Sequence, residues 1–247
     1  PHLKFNLISL FLFKVLMYLF AFLLVCKIYQ IASLKNLKYL TMDLFNQKPK
    51  ERTFQKFILE DGEIWFMPNF MPLSIAEKYL KKLLETINWK QEQIKMYGKV
   101  YDVPRKTAWY GYEGFSYQYS GILCDPDPWT VELLEIKKVI EYFIPTENFN
   151  SVLLNHYRDG NDKVGWHADD EAGLGINPTI ASVSLGATRR FDLKHKTKLN
   201  QKLQLELPTG SLVIMIGALQ HHWVHQIPVQ RKIHHPRINL TFRTIKN

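Results

Sequence analysis

The sequence predicts an α+β domain dominated by a β-sandwich or jelly roll. Three observations carry that expectation: two segments of helical spacing come first, short β-type runs follow one another after Asn148, and turn residues such as Asp159-Gly160-Asn161 and Pro208-Thr209-Gly210 separate the runs. Periodicity alone leaves an ordinary β-sandwich or a barrel open as alternatives.

The chain opens on a stretch of different character. Residues 7–26 are apolar apart from Ser9 and Lys14, about the length that a membrane-spanning helix requires. This segment reads as a membrane anchor with Lys27, Lys35 and Lys38 as a positive flank, as a signal-like segment without a clear cleavage pattern, or as a non-native upstream segment. Pro1 stands first and Met42-Asp43-Leu44-Phe45 offers a start just before the globular-looking body. The expected division is therefore a leader over 1–41 and one domain over 42–247, with membrane contact only if the leader is genuine.

Within the body, residues 75–89 place Ala76, Leu80, Leu83, Leu84 and Ile87 on one helical face, with Ser74 and Glu77 as a capping box at the start. A second helix is expected over 128–143. Strands are then expected over 152–157, 165–169, 180–185, 190–193, 203–207, 211–216, 223–227 and 237–244.

Charge and cysteine narrow the function classes only slightly. The formal charge is +9, but Lys4, Lys14, Lys27, Lys35 and Lys38 all lie in the leader; taking these five from the 32 basic residues leaves 27 against 23 acidic ones. Such a mildly basic body permits nucleic-acid binding without arguing for it. Cys26 and Cys124 are the only cysteines, which excludes a disulfide framework and a cysteine-based zinc site.

Chemistry first appears at Trp166-His167-Ala168-Asp169. Side chains two apart on a strand share a face, so an imidazole and a carboxylate would project together. The run 223–227 can add His225. Two histidines and one carboxylate hold an iron centre while leaving positions open, although a His-x-Asp pair by itself is usually a surface hydrogen-bonding pair. In 237–243, Arg237, Asn239, Thr241 and Arg243 share one face, and Ile238, Leu240 and Phe242 take the other. Taken alone, that pattern suits a solvated polar face better; it could also line a pocket for a small dianion, since guanidinium groups make paired, charge-assisted bonds to carboxylates. Asn155 and Tyr157 share a face in the same way.

Taken in order, Asn-x-Tyr, His-x-Asp-Asp-Glu, a distal His and Arg-x-Asn-Leu-Thr-Phe-Arg closely resemble the AlkB family of dealkylating dioxygenases, over most of residues 60–246 and including Ala181–Ala187. The likeness is to the duplex-DNA repair branch, AlkB homologue two, with homologue three as neighbour. The resemblance implies a double-stranded β-helix (jelly-roll) core with N-terminal helices and a nucleotide-recognition lid over about 91–123. It implies Fe(II) held by His167, Asp169 and His225. It also implies 2-oxoglutarate held by Asn155, Tyr157, Arg237, Asn239, Thr241 and Arg243, with Arg237 on the distal carboxylate. O2 and 2-oxoglutarate would be coupled to hydroxylation of an N-alkyl group, releasing aldehyde, succinate and CO2. His221-His222 and His234-His235 lie outside this motif set.

The substrates so implied are 1-methyladenine and 3-methylcytosine in DNA, duplex favoured, with single-stranded DNA or RNA as the alternative. A monomer is expected, in the nucleus if the source is eukaryotic and in the cytoplasm if bacterial. Asp170 and Glu171 would favour a cationic base. Tyr117, Gln118 and Tyr119 would clamp a flipped base, Tyr119 opposite the His167 ring. Tyr97-Gly98-Lys99 would form the finger entering the gap in the duplex, with tyrosine where phenylalanine is expected. Arg231 and Lys232 would meet the backbone, and Lys194, Lys196, Lys198 and Lys202 could add phosphate contacts from a loop shorter than in the duplex branch.

Overall fold

The computed structural model describes residues 52–246 except 97, 116, 120 and 121; for 95, 96, 117–119 and 122–124 it describes the backbone only. The leader, the Met42 start and Tyr97 therefore lie outside the described residues, as do the side chains of Tyr117, Gln118 and Tyr119. Among the described residues no helix is long and apolar enough to cross a membrane.

The elements in order are β1 (Gln55–Leu59), β2 (Gly62–Met67), α1 (Leu73–Thr86), β3 (Gln93–Met96), β4 (Lys99–Asp102), β5 (Lys106–Gly111), β6 (Tyr117–Tyr119), β7 (Ile122–Cys124), β8 (Asp127–Pro128), α2 (Val131–Phe143), β9 (Ser151–Tyr157) and β10 (Val164–His167). After a 3-10 turn at Ala172–Leu174 come β11 (Ile180–Gly186), β12 (Arg189–His195), β13 (Lys202–Leu207), β14 (Ser211–Ile216), the short α3 (Leu219–His222), β15 (Trp223–Ile227) and β16 (Arg237–Arg243).

Eight strands form one sheet in the order β1-β2-β14-β11-β16-β9-β5-β8, and four form a second in the order β10-β15-β12-β13. β3–β4 and β6–β7 are separate hairpins. Ile64, Phe66, Val213 and Met215 of the large sheet share one buried cluster with Phe191, Leu193, Leu205, Trp223 and Ile227 of the small sheet, so the two sheets pack face to face as a jelly roll. On the other face of the large sheet, Phe242 meets Phe149 and lies parallel to Trp129 at 6.3 Å, while Phe143 of α2 meets Phe70. With that face covered and the small sheet lying across the cavity on the other, β16 is buried along its whole length.

Several expected details differ. Helix and strand segments are not segregated: β1 and β2 precede α1, and β5 lies inside the large sheet between β9 and β8. The capping box is absent. Pro72 occupies the N-cap with no side-chain cap bond, which places Ser74 inside the first turn. α2 starts at Val131 because the Thr130 hydroxyl accepts from Leu133 N at 3.3 Å. β10 ends at His167, so Asp169 sits beyond the strand, and strand alternation is not what aligns it with His167.

One turn is pinned by a close backbone approach. Gly160 N donates to Ile233 O and Gln230 N donates to Gly160 O, each at 2.8 Å. A Cβ on Gly160 would lie 1.9 Å from Gln230 O. Gly160→Ala is expected to lower the melting temperature by about 5 °C. Gly173→Ala, where a Cβ meets nothing within 4 Å, should leave it unchanged. Equal melting curves for both variants would contradict this account of the turn.

Candidate active site

The two sheets leave a cavity of about 410 Å³ between them, lined by His167, Asp169 and His225 and by Asn155, Tyr157, Arg237, Asn239, Thr241 and Arg243. Pairing sets the first part of this arrangement. His167 stands directly opposite His225 where β10 pairs with β15, and their ring centroids lie 4.3 Å apart. Asp169 reaches the same point from the segment after β10, held there because its backbone N–H donates to Gln220 Oε1 at 2.9 Å and its Oδ1 accepts from Arg243 Nη2. The ligand atoms of His167, Asp169 and His225 all lie within 4.8 Å of one another.

Protonation suits metal binding. His167 Nδ1 lies 2.8 Å from Gly165 O and donates to it, which leaves Nε2 as the ring atom to meet a metal. Burial, and then the neighbouring His167, pull His225 down to about 3, so it is a neutral ligand near pH 7. Its 3.8 Å approach to Asp169 is therefore not an ion pair. Burial pushes the Asp169 carboxyl up, but the Arg243 guanidinium and the two imidazoles together outweigh it and hold the group below the usual carboxylate range. Two imidazoles and one carboxylate form a donor set suited to ferrous iron.

The polar stripe on β16 is not solvated. Arg237, Asn239, Thr241 and Arg243 are buried facing the cavity, while Ile238, Leu240 and Phe242 are buried against the opposite layer. Asn239 Nδ2 donates to Ser182 Oγ at 2.8 Å, and the Thr241 hydroxyl donates to Asn239 Oδ1 at 3.2 Å. Arg237 Nη2 donates to Ser184 Oγ at 2.9 Å, but its Nε and Nη1 have no hydrogen-bond partner although the residue is only 1% exposed. Burial lowers its guanidinium to about 10, which leaves it charged at neutral pH. A buried cation with two unused donors fits the distal carboxylate of a dicarboxylic acid.

The remaining expected residues divide. Glu171 lines the cavity, and its buried Oε2 has no partner. Asp170 is exposed and pairs with Lys196 at 3.3 Å, away from the cavity lining. Arg231 and Lys232 are exposed in the turn before β16. Gly98 turns the β3–β4 hairpin with φ 77°, and Lys99 is exposed beside it; Ile94 of that hairpin reaches the cavity lining. Lys198 is engaged by Glu60 and Asp61.

Three contributors were missed by the sequence. Arg105 is buried at the cavity, and its Nε donates to Asn155 Oδ1 at 2.6 Å; a lone arginine after Val103-Pro104 carries no pattern that would reveal this. Gln220 and Ser184 act through Asp169 and Arg237, and polar residues of this kind stand out only when their partners are known.

A second group, Asp61, His195 and His222, also brings its ligand atoms within 4.8 Å. Here His195 Nδ1 accepts backbone N–H bonds from Thr197 at 3.2 Å and Lys198 at 3.0 Å. The ring proton is therefore on Nε2, donated to Asp61 Oδ2 at 3.2 Å, and no lone pair is left for a metal.

A jelly roll with two histidines and a carboxylate beside a dicarboxylate-sized cavity defines a class, and residues 63–243 match the model of the 2OG-Fe(II) oxygenase superfamily, to which the chain belongs. Membership brings Fe(II), 2-oxoglutarate and O2 with it. The chain is 40% identical over 193 residues to mouse alpha-ketoglutarate-dependent dioxygenase alkB homolog 3, covering 74% of this chain and 66% of the relative. It is 38% identical over 173 residues to bovine DNA oxidative demethylase ALKBH2, covering 67% and 62%. It thus spans just under two thirds of the length of these relatives. The solved structure of OsALKBH1 shares the fold, with TM-score 0.55 and 17% identity over 76% of this chain and 100% of that one.

Proposed function

We propose that this chain is an Fe(II)- and 2-oxoglutarate-dependent dioxygenase that removes small alkyl groups from nucleobases, with alkylated DNA as its substrate. The observation that carries this is the pairing, within one cavity, of three converging ligands with a buried Arg237 whose Nε and Nη1 are unpartnered. His167, Asp169 and His225 would hold the iron. Arg237 would bind the distal carboxylate of 2-oxoglutarate, and Asn155, Tyr157, Asn239, Thr241 and Arg243 would line the rest of its site. Bound there, iron and 2-oxoglutarate would supply the oxidising chemistry for hydroxylation of an N-alkyl carbon, the alkyl group leaving as aldehyde with succinate and CO2 as co-products.

The protein's own groups account for orientation and selection. Arg243 holds Asp169 on one side, leaving Oδ2 toward His225. Arg105 fixes the Asn155 amide. The unpartnered Glu171 oxygen beside the cavity favours a positively charged base such as 1-methyladenine or 3-methylcytosine over its neutral parent. Asp170, turned to Lys196, is not given that role. Glu171→Gln is expected to lower kcat/KM for 1-methyladenine about tenfold, a loss typical of one charged hydrogen bond, with a smaller change for a neutral alkylated base. Equal losses on both would remove charge selection from Glu171. The chain is proposed to act as a monomer, in the nucleus or cytoplasm according to its source.

The test is 2-oxoglutarate decarboxylation coupled to loss of the methyl group from 1-methyladenine in duplex DNA, single-stranded DNA and RNA. Coupled turnover on at least one is expected; none on any of the three overturns the proposal.

A further inference from the structure

One buried guanidinium takes no part in the proposed site yet ties together the turns on either side of it. Arg189 opens β12, is 1% exposed and does not line the cavity. Its Nη2 donates to Asp162 O at 2.8 Å and to Pro228 O at 2.7 Å. Its Nη1 donates to Asp159 O at 3.0 Å and its Nε to Gln230 Oε1 at 3.2 Å. These acceptors are backbone carbonyls and one amide, and the Asp162 carboxylate is taken by Arg158. Arg189 is therefore not buried to complete an ion pair.

The acceptors come from two turns. Asp159 and Asp162 lie between β9 and β10, and Pro228 and Gln230 lie between β15 and β16. Each turn crosses from one sheet to the other. On the large-sheet side each is flanked by a residue assigned to 2-oxoglutarate, Tyr157 or Arg237; on the small-sheet side each is flanked by an iron ligand, His167 or His225. Tyr157 and Arg237 are register partners across β9–β16. The guanidinium carbons of Arg189 and Arg237 lie 5.5 Å and 5.1 Å from the centre of the Tyr157 ring.

We infer that Arg189 is a positioning residue, which fixes the spacing between the iron ligands and Arg237 by clamping both crossing turns at once. This rests on the site residues proposed above. A five-carbon diacid has a limited reach. Its two ends can be held together, one at Arg237 and one at iron, only while the two sheets keep their separation. Hydrogen bonds from a single planar fork hold that separation at the turns. A lysine there keeps the charge but cannot reproduce the fork, so it cannot serve both turns in the same way. Arg189 thus couples metal binding to co-substrate binding without entering the cavity.

The experiment titrates the full chain with 2-oxoglutarate under anaerobic conditions, with and without saturating Fe(II), and takes the ratio of the two Kd values. Linked sites typically shift one another about 5–150-fold, and the metal is expected to tighten 2-oxoglutarate about twentyfold in the wild type. Arg189→Lys should cut that factor to about threefold or less while changing the metal-free Kd less than about twofold. Gln230→Ala, which removes one acceptor and leaves the buried cation in place, should cut it to about sevenfold. A variant that is merely less stable binds more weakly with and without metal by the same fraction, so its ratio stays put. An unchanged ratio in both variants overturns the clamp. Equal weakening with and without metal also overturns it, and would confine the effect of Arg189 to the Arg237 end. If Arg189→Lys does not fold, the Gln230→Ala ratio decides alone. If Fe(II) fails to tighten 2-oxoglutarate in the wild type, the shared site and the clamp fall together. If the wild type shows the tightening and removes the methyl group while the variants keep the ratio, the clamp alone falls.

Discussion

Asp169→Ala is expected to abolish coupled turnover, a loss of at least about 10³-fold, which corresponds to roughly 4 kcal/mol of transition-state stabilisation. The carboxylate is the one anionic member of the ligand set, so its removal leaves two imidazoles that hold iron far more weakly. It also removes the Asp169 Oδ1 acceptor from the buried Arg243 guanidinium. Breaking one side of a buried pair costs about 3–5 kcal/mol, so the alanine variant should also melt about 10 °C lower. Asp169→Asn separates the two effects. The amide oxygen can still accept from Arg243, so the fold should be largely kept while iron binding and turnover are lost. Iron content, thermal melting and turnover measured on both variants check this. Retained turnover in either variant would place the metal elsewhere.

Arg237→Met is expected to raise Kd for 2-oxoglutarate about 100-fold or more, and Arg237→Lys about tenfold. A truncated partner in a buried, hydrogen-bonded charge pair typically costs about 2–5 kcal/mol, and lysine keeps the charge but cannot form the paired fork. The structure adds a less obvious consequence. Without a dianion, Arg237 is a buried cation with two unused donors, a destabilising state. The wild type should therefore gain melting temperature on adding 2-oxoglutarate, as any ligand of the native state produces. Arg237→Met should start from an equal or higher melting temperature and gain almost none. Isothermal titration and melting with and without 2-oxoglutarate test both halves; a full ligand-induced shift in the methionine variant would remove Arg237 from the binding site.

The features legible in the sequence were those with a period or a fixed order. β9, β11, β14, β15 and β16 fall within a residue or so of their expected positions because each sits between turn residues. His167 and His225 were both expected on strands, and β10 and β15 do pair at these two residues, although the register shifts between Val164 and His167. Asp169 was placed correctly on an incorrect ground: a glutamine from α3 and an arginine from β16 hold it, and long-range partners leave no local trace. The strands before α2 were missed for a related reason. β5 is Lys-Thr-Ala-Trp-Tyr-Gly with both faces largely covered, so it lacks the alternation that marks a half-exposed strand. Taken alone, the polarity of β16 suited a solvated face, and only the second sheet across the cavity decides that Arg237, Asn239, Thr241 and Arg243 are buried.

The hairpins β3–β4 and β6–β7 belong to neither sheet. Their strands pair only with each other, so residues on them can be exchanged without disturbing the ladder that carries Arg237 or the pairing that aligns the two imidazoles. Such a chain can drift in what it grips while its oxidising centre stays fixed. Close relatives that differ in preferred lesion or strand type should therefore differ first along these two ribbons, and last along β16.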